Sequence, residues 1–187
     1  MATATLTEKL LTIDDYLQLG DDRRLTELVR GRVVEMPPTK MGHGVIGGII
    51  ARLLGNFVDA QKLGRVITND AGVITQRNPD TLRGADIAYY SFQRVPPDFD
   101  LFADYPTSPP EIVFEVKSPG NSWRDITEKV AEYLHIGVDV VCVIDPEARV
   151  AVVHTPSAPP KTLTMEQSLE FPNFLPGFQL PLGTLLA

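Results

Sequence analysis

The feature that most constrains the fold is the segment from residue 111 to residue 120, which reads EIVFEVKSPG. Alternate residues of a β-strand share a face, so Glu115 and Lys117 are expected to lie side by side at the end of an otherwise apolar strand. Burying such charges is costly unless they are paired or bound to something. The segment therefore indicates either an ion pair at a strand end or a functional site.

The apolar pattern around this strand predicts a mixed α/β fold. Apolar residues recur every three or four positions over residues 43–64, which is typical of a helix packed on a core, and Gly64 is expected to end it. The alternating patterns then predict strands, a helix with Ser122 and Asp125 as its capping box, and a buried strand. We expect one mixed central sheet flanked by helices. In order after the first helix, the predicted elements are strands 65–75, 81–90 and 112–117, helix 122–137, and strands 138–146 and 148–155.

The two ends of the chain are expected to add to this core without forming a second domain. Residues 1–40 predict an N-terminal helix and a β-hairpin extension that turns at Arg30 and Gly31. The core spans 41–155. Residues 156–187 are expected to form a packing tail, and within it residues 169–186 hold too many prolines for regular structure. The 187 residues are thus expected to form a single domain.

The amino-acid composition argues against some classes of function. The formal net charge of −7 argues against sequence-independent binding of nucleic acid through a broad basic surface, although a local basic groove is compatible with it. An acidic balance also fits a site that concentrates carboxylates for a divalent cation. Apolar runs fall short of a membrane span and the N-terminus lacks a basic segment, so we expect a cytoplasmic protein with no membrane partner. The single cysteine, Cys142, is expected in the core.

Three residues carry the predicted chemistry. Asp86 lies on the strand before the one that bears Glu115 and Lys117, and pairing of the two strands would bring all three together. Two carboxylates suit Mg²⁺ or Mn²⁺, which lowers the pKa of a bound water and stabilises charge on a phosphate. A neighbouring lysine would orient or help deprotonate the attacking water, or neutralise the developing charge. This is a chemistry of phosphodiester hydrolysis.

An acid on one strand followed by Glu-x-Lys on the next resembles the PD-(D/E)XK nuclease superfamily, the fold of many restriction endonucleases. More closely, the chain resembles the Uma-two (Uma2) family of restriction-endonuclease-like proteins. The matching pieces cover most of the chain, and the block 109–146 is the most specific. They read ELVRGRVVEMPP, GHGVIGGIIARLL, RGADIAYY, PPEIVFEVKSPGNSWRDITEKVAEYLHIGVDVVCVIDPEARVAVVH and LPGFQLPL.

The resemblance implies a restriction-endonuclease-like core and a metal-dependent endonuclease that acts on DNA. It implies Asp86 and Glu115 as metal ligands and Lys117 as the catalytic lysine. Glu27 and His43 match positions that the family usually keeps as an acid and a histidine. His43, ahead of Glu35, is the expected further ligand.

The sequence departs from the family pattern at two positions. Ala85 stands where a proline commonly precedes the acid, and Arg30 stands where the hairpin turn is usually acidic. Neither departure removes a ligand.

Other interpretations remain open at this stage. The protein is alternatively a catalytically inactive nuclease-fold module that binds DNA or another protein, or an enzyme that hydrolyses a smaller phosphodiester. Lys129 and Tyr133 lie one helical turn apart and would face the site, although Lys129 also fits an ordinary ion pair with Asp125. A homodimer is expected from the fold class, because cutting both strands often needs two sites.

Overall fold

A computed structural model describes residues 9–20, 25–103, 105–120 and 122–186. Their order of helices and strands agrees with the predicted order through the core. The bounds are α1 Ile13–Leu17, β1 Thr26–Val29, β2 Arg32–Glu35, α2 Met41–Gln61, β3 Gly64–Gln76, β4 Thr81–Ser91, β5 Ile112–Val116, α3 Trp123–His135, β6 Val140–Asp145, β7 Val150–Thr155, β8 Ala158–Leu163, β9 Ser168–Phe171, β10 Leu175–Pro181 and α4 Leu182–Leu185.

The central sheet is mixed, as predicted. Within the described residues it has eight strands, in the order β2-β1-β4-β5-β6-β7-β8, with β3 also paired to β4. The β5–β6 pair is parallel and the β4–β5 pair is antiparallel. A parallel pair needs a crossover, and α3 provides it. The end of β5, and the middle of β4 that pairs with it, thereby lie next to the start of α3.

The two long helices cover opposite faces of the sheet. Helix α2 packs Ile46, Ile50 and Leu54 against one face, where Phe114 is fully buried. Helix α3 packs Ile126, Val130 and Tyr133 against the other face. The predicted core of a sheet flanked by helices is thus confirmed. The apolar residues of β5 alternate between the two faces, which leaves Glu115 on the side of α3.

Helix α2 ends earlier than its sequence pattern predicts. Lys62, in the left-handed conformation, is its C-cap, and Gly64 is the first residue of β3. A Cβ atom on Gly64 would lie 2.0 Å from the carbonyl oxygen of Tyr90 on β4, so glycine is required by this close approach and not by the helix end. Among the described residues α2 is the one helix with the length and composition of a membrane span, but its buried stripe packs into the core.

The N-terminal extension belongs to the sheet. Thr12 and Asp15 form a capping box on α1, and the hairpin turns at Arg30 and Gly31, both with positive φ. Strand β1 also pairs with β4 at Leu28, so the hairpin extends the central sheet at its edge.

The prediction of an irregular tail is wrong. Pro159 and Pro160 lie in β8, which is the last strand of the sheet, where a residue without an N–H is tolerated. The following strands β9 and β10 form a small hairpin of their own. Its apolar side chains, including Leu169, Phe171 and Leu180, pack with α2 in the core, which agrees with the predicted packing role.

Candidate active site

A cleft of about 560 Å³ opens between the hairpin, the start of α2, the middle of β4, the end of β5 and the start of α3. One wall is apolar and comes from the hairpin and the residues after it. The other wall carries polar, mostly charged side chains from six elements. The apolar wall includes Leu25, Val34, Met36, Pro37 and Pro38; the charged wall includes Glu27, His43, Asp70, Asp86, Glu115 and Lys129.

Strand pairing brings Asp86 and Glu115 together, as the sequence predicts. Ile87 pairs with Phe114, so one step further along the antiparallel pair places Asp86 opposite Glu115. The backbone N–H of Val116 donates a 2.6 Å hydrogen bond to Oδ2 of Asp86. The two carboxylates therefore meet where β4 and β5 reach the cleft.

Glu115 is buried at the bottom of the cleft, with 4% of its surface exposed. Tyr133 donates a 2.9 Å hydrogen bond to its Oε1, and Lys129 lies 3.3 Å from its Oε2. Burial raises the pKa of Glu115 to about 7; Lys129 opposes the rise, and repulsion from Asp86 adds to it. Near neutral pH the ionised and protonated forms of Glu115 therefore differ little in free energy.

Lys129 is the lysine that contacts the carboxylates of the cleft. Its Nζ atom lies 2.9 Å from Oε1 of Glu27, and 3.3 Å from both Oε2 of Glu115 and the carbonyl oxygen of Gly84. Burial alone would lower the pKa of Lys129, but the carboxylates of Glu115 and Glu27 raise it well above its usual value. The ammonium is therefore charged at neutral pH and links the two carboxylates.

Glu27, predicted to be part of the site, is anchored by a buried network. Arg83 donates a 3.0 Å hydrogen bond to Oε2 of Glu27 and two hydrogen bonds to Glu132 on α3. The backbone N–H of Gly84 donates to Oε1 of Glu27. Glu27 thus contacts the site through Lys129, and Arg83 fixes its position.

His43 reaches the site from the first turn of α2. Its Nε2 atom lies 3.1 Å from Oδ2 of Asp86. The hydrogen bond with Asp86 raises the pKa of His43; burial opposes the rise, and Asp86, Asp70 and Glu115 add to it through their charge. The structure thereby brings together four of the five predicted site residues: Glu27, His43, Asp86 and Glu115.

Lys117, the fifth predicted site residue, does not line the cleft. Strand β5 ends at Val116, and the Nζ atom of Lys117 lies 3.7 Å from Asp145 and 3.6 Å from Glu147. The predicted pairing of Glu115 with Lys117 on one face is replaced by pairing with Lys129, which comes from the next helix.

Asp70 is a cleft residue that the sequence analysis missed. It lies with Asn69 in an irregularity of β3 where both residues have positive φ, and it faces Gly84 on β4. Burial, with repulsion from Asp86, raises the pKa of Asp70. The dipeptide Asn-Asp inside a strand pattern was the available signal, because these two residue types adopt positive φ more readily than most.

The charged wall combines oxygen donors with a fixed cation. Asp70, Asp86 and Glu115 supply the hard carboxylate oxygens that Mg²⁺ and Mn²⁺ prefer, so the donors fit such an ion in kind. Within the described ranges, no three His, Cys, Asp or Glu side chains are grouped closely enough to hold a metal ion as they stand. Binding would require these side chains to approach one another, and relief of the repulsion between them would favour that approach.

Comparisons with known proteins agree with the geometry. A family described as "Putative restriction endonuclease" (Uma2) matches residues 13–183. No curated protein matches the chain. The crystal structure of "a putative nuclease belonging to DUF820 from Anabaena variabilis ATCC 29413" is similar over 94% of this chain and 97% of that chain, with a TM-score of 0.82 and 20% sequence identity. At that identity the similarity establishes a shared fold.

Proposed function

Because the chain belongs to the Uma2 family of restriction-endonuclease-like nucleases, we propose that it is a divalent-metal-dependent endonuclease that hydrolyses DNA phosphodiester bonds in the cleft. The observation that carries the proposal is the placement of buried Glu115 opposite Asp86 with the Lys129 ammonium 3.3 Å away. Two carboxylates on neighbouring inner strands of a mixed sheet, with a lysine beside them, are the groups that the superfamily chemistry requires.

In the proposed enzyme, Asp86 and Glu115 would hold Mg²⁺ or Mn²⁺, and Asp70 is a third carboxylate available to it. The bound ion would lower the pKa of a water molecule and stabilise charge on the phosphate. His43 remains a proposed ligand, but its Nε2 atom faces Asp86. Its contact supports the additional role of orienting the Asp86 carboxylate.

In the proposed enzyme, Lys129 takes the role predicted for Lys117. Its pKa is raised, so it acts as a cation that neutralises charge on the phosphate or orients water, and not as a base. Glu27 holds the ammonium from the side opposite Glu115, and Arg83 fixes Glu27. Tyr133 holds Glu115. This chain of contacts supports a preorganised site, which reduces the cost of arranging charges during reaction.

Cleavage of DNA with and without metal tests the proposal. Supercoiled plasmid and branched DNA are incubated with Mg²⁺ or Mn²⁺, and nicking is compared with the same reactions in chelator. The expected result is metal-dependent nicking that is lost in Asp86→Asn. Nicking that persists at full rate in this variant would remove the proposed site.

The second candidate is a nuclease-fold module that binds DNA or a protein without cutting. One observation favours it: the cations Lys129 and Arg83 already pair with the carboxylates of Glu115 and Glu27, as a cleft without metal would require. Isothermal titration with Mn²⁺ in the presence of DNA separates the two, because the module predicts no cation binding. Hydrolysis of a smaller phosphodiester is a third possibility for the same metal chemistry, and bis-(p-nitrophenyl) phosphate is the probe for it.

A homodimer completes the proposed endonuclease, because two clefts would serve the two strands of a duplex. Val33 is 43% exposed on β2, the strand at the edge of the sheet, and is a candidate for the contact. Sedimentation equilibrium of the wild type and of Val33→Glu tests this: the wild type is expected to be dimeric and the variant monomeric.

A further inference from the structure

A second pocket, of about 530 Å³, lies between the end of β3, a loop before β5 and the end of α3. None of the described residues that line it also lines the cleft. Its volume is in the range of pockets that hold small organic ligands. Its wall is formed by residues 72–77, Tyr90 of β4, residues 106–109 and residues 135–136.

Tyr90 brings a hydroxyl group to this second pocket. Only 4% of the Tyr90 surface is exposed, and the hydroxyl has no hydrogen-bond partner among the described residues. In that part of the chain, the one fully enclosed polar side-chain atom without a partner is Nε2 of His154. The Tyr90 hydroxyl is therefore not fully enclosed, and the second pocket is the space that this residue lines. Burial raises the pKa of the phenol, so at neutral pH the group is a hydrogen-bond donor.

The other polar side chains of the wall add donors and positive charge. Arg77 uses one N–H group on Asp80, at 3.1 Å, and a guanidinium has five. The imidazole of His135 and the hydroxyls of Thr107 and Ser108 also carry donors. No aspartate or glutamate is among the described residues of this wall, whereas six of them line the cleft. The second pocket therefore favours a ligand with negative charge and acceptor oxygens.

The number of donors favours a phosphate group over a carboxylate. Five side chains of the wall offer donors even without Thr75, whose hydroxyl already donates to Glu132 at 3.2 Å. A carboxylate has two oxygens with about four acceptor sites, whereas a phosphate monoester has three terminal oxygens and up to two negative charges.

The rest of the wall is apolar. It includes Val73, which is 3% exposed, and Ile74, Ile136 and two prolines. A phosphate group alone would leave most of the pocket unfilled. The apolar side chains therefore favour a phosphate that carries an organic group.

We propose that the second pocket binds a small organic phosphate, whose phosphate group accepts a hydrogen bond from Tyr90 and whose organic part packs on the apolar wall. This site is separate from the cleft, and its existence does not depend on the nuclease function proposed above.

The test is isothermal titration of the full chain in chelator. The probe is deoxythymidine 5′-monophosphate; thymidine is its neutral counterpart, and benzoate is a carboxylate with an apolar ring. The monophosphate is expected to give saturable heat and to bind more tightly than the other two. Tyr90→Phe is expected to bind it about 10- to 150-fold more weakly, the range for one hydrogen bond to a charged group.

Tyr90→Phe is suited to this test because the hydroxyl has no protein partner to lose. Its melting temperature is therefore expected to match that of the wild type. The matched control is Tyr89→Phe on the opposite face of β4, since the Tyr89 hydroxyl donates to the carbonyl oxygen of Leu63 and does not line the second pocket. Tyr89→Phe is expected to leave binding unchanged.

Two further variants separate the second pocket from the cleft. Arg77→Gln removes the cation but leaves Asp80 with its hydrogen bonds from the N–H groups of Ile13 and Asn78, and is expected to weaken binding. Lys40→Ala removes an exposed cation that lines the cleft, and is expected to leave binding unchanged.

An absence of saturable heat with the monophosphate, or binding by Tyr90→Phe within about twofold of the wild type, would overturn the proposal. Equal losses in Tyr89→Phe and Tyr90→Phe would do the same. Loss in Lys40→Ala alone would move the phosphate to the cleft, and equal or tighter binding of thymidine or benzoate would overturn the ligand class. A chain that cleaves no DNA but binds the monophosphate through Tyr90 would lose the nuclease function and keep this site.

Discussion

The Nζ atom of Lys129 lies 3.3 Å from Oε2 of Glu115, although fourteen residues separate the two in the chain. Lys117, only two residues from Glu115, instead places its ammonium 3.7 Å from Asp145. The lysine that contacts Glu115 in the structure thus comes from α3 and not from the Glu-x-Lys motif. Substitution of each lysine in turn is therefore expected to have different effects on DNA cleavage.

The first prediction concerns the two lysines. Lys129→Ala is expected to lower the rate of metal-dependent DNA cleavage by about 10²–10³, the usual effect of removing one group that stabilises transition-state charge. Lys117→Ala is expected to cleave within a few-fold of the wild type per folded molecule. Single-turnover cleavage at saturating Mn²⁺ measures both.

Stability must be measured beside activity, because Lys117→Ala leaves the buried carboxylate of Asp145 without this partner. Loss of one partner of a buried ion pair costs about 3–5 kcal/mol, so a lowered melting temperature is expected. Lys117→Arg keeps the charge and serves as the control. Full loss of cleavage in a folded Lys117→Arg, with activity kept in Lys129→Ala, would restore the assignment of Lys117.

The second prediction concerns pH. Burial raises the pKa of Glu115 from 4.5 to about 7, so between these values the folded protein keeps a proton that the unfolded chain has lost. Stability without metal is therefore fully present at the acid end of this window and falls as pH rises through it, by roughly 1–3 kcal/mol. Asp70 and His43 also have raised pKa values and act in the same direction. Thermal unfolding in chelator at pH 5, 6, 7 and 8 measures the trend.

Glu115→Gln isolates the contribution of one carboxyl to this trend. Glutamine can still accept the hydrogen bond of Tyr133 but does not titrate, so the fall in melting temperature between pH 5 and pH 8 is expected to be smaller. A wild-type melting temperature that rises over this range would contradict the raised pKa values.

The third prediction compares two glycines that the sequence does not distinguish. A Cβ atom on Gly64 would lie 2.0 Å from the Tyr90 carbonyl oxygen, whereas one on Gly44 in α2 meets nothing within 4 Å. Gly64→Ala is expected to be strongly destabilising because strands β3 and β4 must separate. Gly44→Ala is expected to stabilise the protein by about 0.5–1 kcal/mol through higher helix propensity. Urea unfolding measures both; equal effects would show that Gly64 is a helix-end residue after all.

The sequence predicted the fold well because periodicity reports burial. Residues 43–64 repeat with the period of a helix, and the structure places α2 at Met41–Gln61. The same reasoning predicted that the strand of Asp86 pairs with the strand of Glu115, and the pairing of Ile87 with Phe114 confirms it. The strand periodicity of the sequence is therefore enough to assign Asp86 and Glu115 to neighbouring strands.

The lysine was harder to predict, because strand alternation holds only while the strand continues. The backbone N–H of Lys117 still bonds to Ile144, but β5 ends at Val116 and the side chain turns toward Asp145. Lys129 enters from a helix whose rotation about its axis follows from tertiary packing. Asp70 escaped notice for a related reason, since the irregularity in β3 that turns it toward the cleft breaks the alternation.

Proline content misled the prediction for the tail. The prolines of residues 169–186 were counted against regular structure, but Pro176 and Pro181 lie in β10, which pairs with β9. Each strand has two edges, and an outer strand needs hydrogen bonds on only one of them. Pro159 and Pro160 in β8 show the same tolerance. Strand β8 pairs with β7 on one side, which is enough to keep it in the sheet. Which strand lies outermost is a property of topology and is not visible in local composition.

The fourth prediction is that metal binds the cleft carboxylates and stabilises the fold. At pH 8 the charges of Asp70, Asp86 and Glu115 repel one another, and a divalent cation would relieve that repulsion. At a concentration 100 times its dissociation constant, Mn²⁺ is expected to add about 2.7 kcal/mol to the free energy of unfolding. Asp86→Asn is expected to lose most of this gain, whereas Glu170→Gln, an exposed residue on β9, is expected to keep it. Urea unfolding at pH 8 with and without Mn²⁺ measures each value, and equal gains in the wild type and Asp86→Asn would place the cation outside the cleft.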